Sequence, residues 1–149
     1  MAQFARPSAD TNNSGNYTDQ AGGSTNLFAT IDETAASDAD YIRTGTDPTN
    51  AVYVTKLSNI TDPVSSSGHI LRVRAGTDVS SGGNQIDLTA QVRQGYVNES
   101  TLGTLIATLT QTNISAGTFT TYSLTLSAAE ADAITDYTAL YLRIVLNKP

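Results

Sequence analysis

The stretch that decides the fold class spans residues 86–94 and reads Ile86-Asp87-Leu88-Thr89-Ala90-Gln91-Val92-Arg93-Gln94. Apolar side chains alternate with polar or charged ones along its whole length. A period of two residues is typical of a β-strand with one buried face, whereas a helix repeats about every 3.6 residues. We therefore predict a strand whose inner face carries Ile86, Leu88, Ala90 and Val92.

The remainder of the chain repeats this signal in short segments that turn residues separate. Strands are predicted over residues 27–31, 51–57, 69–74, 105–109, 122–126 and 140–146, with a short one just before Gly45. The stretch from Gly76 to Gly83 is predicted to be a polar loop. About eight short strands without alternating helices indicate an all-β fold, an antiparallel β-sandwich. We expect jelly-roll topology, with an immunoglobulin-like sandwich as the alternative.

One segment breaks the strand pattern and predicts a short helix before the last strand. Ser127-Ala128-Ala129-Glu130 forms a capping box. In this motif the serine hydroxyl accepts a hydrogen bond from the Glu130 N–H, and the carboxylate accepts one from the Ser127 N–H. The alanine-rich run that follows is expected to end by about Ile134.

Residues 1–26 contain few side chains that could build a core of their own. We predict an N-terminal arm over residues 1–26 and a β-sandwich domain over residues 27–149. The arm is flexible or wraps irregularly along the domain, or else it becomes ordered against a partner. Its candidate partner-binding residues are Phe4, Arg6, Pro7 and Tyr17. An aromatic ring can anchor such a contact, and a guanidinium can bind a carboxylate through two hydrogen bonds.

The charge balance argues against several classes of function. The 149 residues include 14 acidic and 8 basic side chains, which gives a net charge of −6. Nucleic acid and membranes are therefore not expected as partners, because both present negative charge. No apolar stretch approaches the roughly 20 residues of a membrane span, and the N-terminus lacks the apolar region of a secretory signal. Without cysteine there is no thiol nucleophile or thiolate metal site, and no cofactor is expected.

The acidic residues Asp32, Glu33, Asp38 and Asp40 are the densest group of possible metal ligands. Carboxylates in loops can supply the oxygen ligands that Ca²⁺ prefers, but this spacing does not match an EF-hand. Turn-forming or solvated loop acids are the other interpretation. The sequence leaves a calcium site here open.

His69 is the only histidine, and it follows a serine-rich loop that includes Ser67. A Ser-His-Asp group is defined by geometry and not by chain order. No Gly-x-Ser-x-Gly elbow occurs, however, and His69 has the same parity as Leu71 and Val73. We expect His69 to cap one end of the core, and we predict no catalytic residue.

Two further surface functions can be weighed from composition. A carbohydrate-binding module remains open because the chain has 7 Tyr, although it has no Trp for sugar stacking. Arg72, Arg74, Arg93 and Arg143 fall on outward strand positions. They predict either solubilising surface charge or a basic patch that faces an acidic partner.

Several strings, in a fixed order along the chain, resemble a signature of small proteins from tailed bacteriophages and their prophage relatives. The strings are residues 5–7 (ARP), 27–33 (LFATIDE), 37–42 (SDADYI), 62–64 (DPV), 68–74 (GHILRVR), 127–137 (SAAEADAITDY) and 140–143 (LYLR). The match that contains these strings runs from about Ala5 to Leu146, with gaps in the loops. The resemblance implies a β-sandwich that forms part of a phage virion.

Within the virion, the resemblance is closest to capsid decoration proteins, which are also called cement proteins. It implies a non-enzymatic structural protein on the capsid surface that stabilises the head by binding the major capsid protein. It also implies a homotrimer at threefold positions of the capsid. The alternatives are a tail or fibre accessory module and a carbohydrate-binding β-sandwich module.

Overall fold

A computed structural model describes residues 2–78 and 85–149, so most of the polar loop predicted from Gly76 to Gly83 lies outside the described residues. The strands are β1 (Pro7–Asn12), β2 (Thr18–Asp19), β3 (Ile42–Arg43), β4 (Ala51–Leu57), β5 (Ile70–Ala75), β6 (Asp87–Gln94), β7 (Thr104–Gln111), β8 (Thr120–Thr125) and β9 (Leu140–Asn147). A 3₁₀ helix spans Leu27–Thr30, and the α-helix α1 spans Ala128–Asp132.

The strands form one large sheet and two strand pairs, all antiparallel. The large sheet has the order β1-β4-β9-β6-β7, while β5 pairs with β8 and β2 with β3. The pairs β4–β9, β5–β8 and β6–β7 are nested along the chain, so each pair encloses the next in sequence. The predicted all-β sandwich, with one short helix before its last strand, is confirmed.

The main core is built from the inner face of the large sheet and from the β5–β8 pair. Leu88 from β6, Leu142 from β9 and Leu71 from β5 are buried in it. Val92 is buried as well, and Leu124 packs against the cluster while half-buried. The period-2 signal therefore identified the inner face of these strands. Full burial of each such aliphatic side chain is worth about 1.5–3 kcal/mol.

An irregularity in the β6–β7 ladder reverses part of the expected alternation in β7. Val92 pairs with Ala107, whereas the next residue, Arg93, pairs with Leu105, so Ile106 is an extra residue on β7. Such a bulge changes which side chains face the core. Ile106 is accordingly 4% exposed, while Leu105 is 46% exposed. The prediction that Leu105 alternates inward with Ala107 is wrong for this reason.

The strand predicted over residues 27–31 is also wrong, because residues 27–30 form the 3₁₀ helix. The backbone N–H groups of Leu27 and Phe28 each donate to the Asp10 carboxylate at 2.8 Å. These N–H groups have no partner within a helix, and a carboxylate at the N-terminal end satisfies them and complements the helix dipole. A residue 17 positions away thus decides the local conformation.

The N-terminal segment belongs to the sandwich over much of its length. β1 is an edge strand of the large sheet and pairs with β4, and β2 pairs with β3. Tyr17, between them, is 2% exposed. The predicted arm over residues 1–26 is therefore not separate from the fold, because residues 7–19 supply backbone pairing and a core side chain.

The capping box at Ser127 is confirmed. The Glu130 N–H donates to the Ser127 hydroxyl at 3.3 Å, and the Ser127 N–H donates to the Glu130 carboxylate at 2.7 Å. The bond from the Ser127 N–H, followed by one that the Ser127 hydroxyl donates to the same carboxylate at 2.8 Å, lowers the pKa of Glu130. The helix that follows is short and leads the chain from β8 into β9.

Candidate functional site

The chain on both sides of Phe4 is held against the segment that follows β4. The Gln3 side-chain amide donates to the Thr61 carbonyl at 2.9 Å, and the Thr61 N–H donates back to it at 2.8 Å. The Arg6 N–H donates to the Ser58 hydroxyl at 3.0 Å, and the Ser58 N–H donates to the Arg6 carbonyl at 2.7 Å. This part of the predicted arm therefore has a defined position.

Phe4, Arg6 and Pro7 are brought together at this position. The Arg6 guanidinium carbon lies 5.0 Å from the centroid of the Phe4 ring, within the range of a cation–π contact. The same guanidinium donates to the backbone carbonyl of Glu33. Pro7, which lacks an N–H, begins the edge strand β1. Phe4 is nevertheless 60% exposed, so most of its ring is open to a partner.

Tyr17 does not belong to this surface, and its prediction as a partner-binding residue is wrong. Its hydroxyl donates to the Ala51 carbonyl at 3.0 Å, and its ring lies 5.7 Å from the ring of Tyr53. Burial raises the pKa of this phenol. The Asn13 side chain bonds both the N–H and the carbonyl of Tyr17, at 2.7 and 2.8 Å, and fixes the turn that directs the ring inward.

Asp10 is a structural residue that the sequence reasoning missed. Besides binding the two N–H groups of the 3₁₀ helix, its carboxylate accepts a hydrogen bond from the Tyr53 hydroxyl at 2.7 Å. Tyr53 is fully buried, and burial followed by the nearby Asp10 raises its pKa. The partners lie 17 to 43 positions away in sequence, so no local motif could have indicated this role.

The four acids at positions 32–40 do not converge on a metal site. Asp38 instead forms an ion pair with Arg74, in which Nε and Nη2 donate to the two carboxylate oxygens at 2.5 and 2.7 Å. This hydrogen bond lowers the pKa of Asp38. Within residues 2–78 and 85–149, no group of three His, Cys, Asp or Glu residues could hold a metal ion. Asp38 therefore braces its loop against β5.

His69, which was expected to cap one end of the core, contacts Tyr137. Its Nε2 lies 2.8 Å from the Tyr137 hydroxyl, and the two rings are 5.9 Å apart. Its Nδ1 is buried and has no hydrogen-bond partner among the residues that the structure describes. The Ser67 hydroxyl lies 3.2 Å from that of Ser65. This geometry joins the start of β5 to the segment after α1.

The arginines at outward positions do not form one open basic patch. Arg143 donates to Glu99 at 2.6 Å, and the Tyr96 hydroxyl donates to the same carboxylate at 2.9 Å. Arg143 lowers the pKa of Glu99, and burial raises that of Tyr96 to about 12. Arg93 is only 8% exposed and donates to Gln91 at 3.0 Å. The loop between β6 and β7 thus covers these charges.

A depression of about 380 Å³ lies between the β4–β5 loop and the segment containing α1. Its lining includes Asp62, Val64, Asp132 and Tyr137. Val64 is 90% exposed and has a φ of +51°, which is unusual for a β-branched residue. Burial, then Asp62 and Asp132, raise the pKa of the Tyr137 hydroxyl. The depression is therefore acidic and carries an exposed apolar side chain.

The described part of the chain contains no helix that is long and apolar enough to cross a membrane. No protein-family model, no curated protein and no solved structure matches this chain.

Proposed function

We propose that this chain is a non-enzymatic structural protein of a phage virion, a decoration (cement) protein on the capsid surface. Its partners are the major capsid protein and further copies of itself, in a homotrimer. The proposal involves no nucleic acid, membrane or cofactor. It is supported by the order of the strings in the match from Ala5 to Leu146, which resembles that of small phage virion proteins.

The observation that carries the proposal is the exposure of Phe4 on a segment that is otherwise fixed. Hydrogen bonds at Gln3 and Arg6 hold the backbone on either side, yet the ring is 60% exposed. Aromatic residues are enriched among the side chains that dominate protein–protein binding. A ring held in place before binding also loses less conformational entropy than one on a disordered arm.

The proposed mechanism is adhesion across the seams of the capsid. The sandwich buries surface on adjacent copies of the major capsid protein, and the segment with Phe4, Arg6 and Pro7 extends that contact. Each copy of the chain then links capsid subunits that would otherwise separate. Stabilisation of the head follows from mass action, because the bound protein favours the assembled state.

Occupancy on purified heads tests this proposal. Phe4→Ala is expected to lower occupancy per folded molecule, while the melting temperature of the free protein changes little. Phe119→Ala is the matched control, because Phe119 is half-buried and lies 5.6 Å from the ring of Tyr41, outside this segment. Failure of the unaltered chain to bind heads in fixed stoichiometry would contradict the proposal.

The competing function is a carbohydrate-binding or tail-fibre accessory module. Electron microscopy of particles labelled through this chain separates head from tail. Binding of the isolated chain to a glycan array, without binding to heads, would favour the carbohydrate-binding module.

A further inference from the structure

The exposed large apolar side chains of the described residues lie on, or next to, the connections at one end of the sandwich. In the large sheet, β4 and β6 end there and β1, β7 and β9 begin there, as their antiparallel registers require. The hydrogen bond between His69 and Tyr137 places the start of β5, and with it the end of β8, at the same end. We name this region the apolar end and define it as residues 2–6, 58–70, 95–105 and 126–139. Its exposed apolar residues are Phe4, Val64, Ile70, Val97 and Leu105, between 44% and 90% exposed.

Hydrogen bonds between these segments bring them together. Gln3 is bonded to Thr61, three residues before Val64. The Gly95 N–H donates to the Ala139 carbonyl at 2.9 Å. The segments that carry Phe4 and Val64 therefore lie side by side in the fold, as do the end of β6 and the start of β9. Single exposed apolar residues are ordinary on a protein surface, but their confinement to one region is a mark of an interaction surface.

Two of the loops at the apolar end are acidic. Its loops after β4 and β8 carry Asp62, Glu130, Asp132 and Asp136 and contain no lysine or arginine. None of these four carboxylates forms an ion pair with any residue that the structure describes. Glu130 caps the helix and Asp136 accepts hydrogen bonds from Thr138. Asp62, which also accepts a hydrogen bond from the Val64 N–H, and Asp132 are the two of these carboxylates that line the depression.

We propose that the apolar end docks onto a second protein whose surface is apolar and basic. Val64 enters an apolar hollow of that surface, and a lysine or arginine of the partner enters the depression between Asp62 and Asp132. The charges select the partner: a net charge of −6 on this chain disfavours an acidic one. The identity of that partner, the capsid shell, rests on the proposed function.

A titration of the ¹⁵N-labelled full chain with two synthetic amphipathic peptides tests the chemistry of the partner without the capsid. One peptide combines leucine with lysine, and the other, of equal length, combines leucine with glutamate. At low salt the lysine peptide is expected to shift the amide signals of residues 62–66 and 131–137 and to bind more weakly as salt rises. Equal binding of both peptides, or shifts confined to residues 112–118 at the other end, would overturn the proposal.

Matched variants identify the contacts. Val64→Ala is expected to weaken binding of the lysine peptide about three- to ten-fold, because two methyl groups lose their burial. Asp132→Asn is expected to weaken it about two- to five-fold. The controls, Thr112→Ala and Asp47→Asn, remove similar groups at the opposite end and should leave binding unchanged. Weakening by the controls as large as that by the test variants would refute the assignment.

Binding of the unaltered chain and of Val64→Ala to purified heads distinguishes failure of this inference from failure of the proposed function. If the unaltered chain and Val64→Ala bind heads equally well, the apolar end is not the docking surface, although the virion role stands. If neither binds heads, the virion role fails, and the peptide titration alone decides the docking chemistry. Sedimentation of the free chain tests whether a second copy of this chain binds the apolar end instead. If the chain forms an oligomer that Val64→Ala dissociates, this end is a contact between copies, and the proposal is overturned.

Discussion

Replacement of Tyr17 by alanine is expected to destabilise the whole sandwich, although the residue precedes the first strand that the sequence predicts. Its side chain is 2% exposed and packs with Tyr53, Leu27 and Ala51 in a second core cluster. Removal of a buried aromatic ring from a core costs about 3–5 kcal/mol. In a chain of this length, that loss corresponds to a fall in melting temperature of roughly 10–15 °C.

Urea unfolding followed by circular dichroism measures this loss. Phe4→Ala is the control from the same segment, and its 60% exposed ring should contribute no more than about 0.5 kcal/mol. Tyr17→Phe keeps the ring but removes the hydroxyl that donates to Ala51, at a cost of about 0.5–1.5 kcal/mol. A loss for Tyr17→Ala as small as that for Phe4→Ala would place residues 13–19 outside the cooperative unit and refute the argument.

Three further predictions concern the core, the helix and acid stability. Leu88→Ala and Leu142→Ala should each cost about 2–5 kcal/mol in urea unfolding, and losses near 0.5 kcal/mol would contradict the assigned inner face. Ser127→Ala should cost about 0.5–2 kcal/mol, with NMR shifts showing whether residues 128–132 remain helical. Because Arg143 lowers the pKa of Glu99 in the folded chain, the ion pair of these two residues stabilises the fold fully above about pH 4.5. That stabilisation is lost as the pH falls through the pKa of Glu99 in the folded state, so the free energy of unfolding of Glu99→Gln should depend less on pH in this range.

The candidate contact surface could be predicted only in part. Phe4, Arg6 and Pro7 were found because an aromatic, a cation and a proline stand out in a polar stretch. Tyr17 stands out equally, but its ring is buried in the core, where its N–H donates to the Asn13 side chain and its hydroxyl donates to the Ala51 carbonyl. Composition cannot separate these cases, because both depend on what packs against the side chain.

The exposure of Val64 also could not be predicted from the sequence. In sequence it follows Asp62 and Pro63 as part of a turn signal, with no indication of exposure. The topology places Val64 beside other exposed apolar residues, because the antiparallel strands bring the β4–β5, β6–β7 and β8–β9 connections to one end. Only there does Val64 become part of a larger apolar surface.

By itself, the sequence determined most of the strands, the inner faces of β6 and β9, and the cap of α1. These features depend on side chains a few positions apart, whose spacing is part of the chain itself. The tertiary structure alone decided that residues 27–30 are helical, that Leu105 faces outward and that Tyr17 is buried. Each depends on a partner brought close by folding: the Asp10 carboxylate, the register of β6, and the backbone of β4. The free energy of such long-range contacts exceeds the weak local preference of a short segment, so local patterns alone cannot predict them.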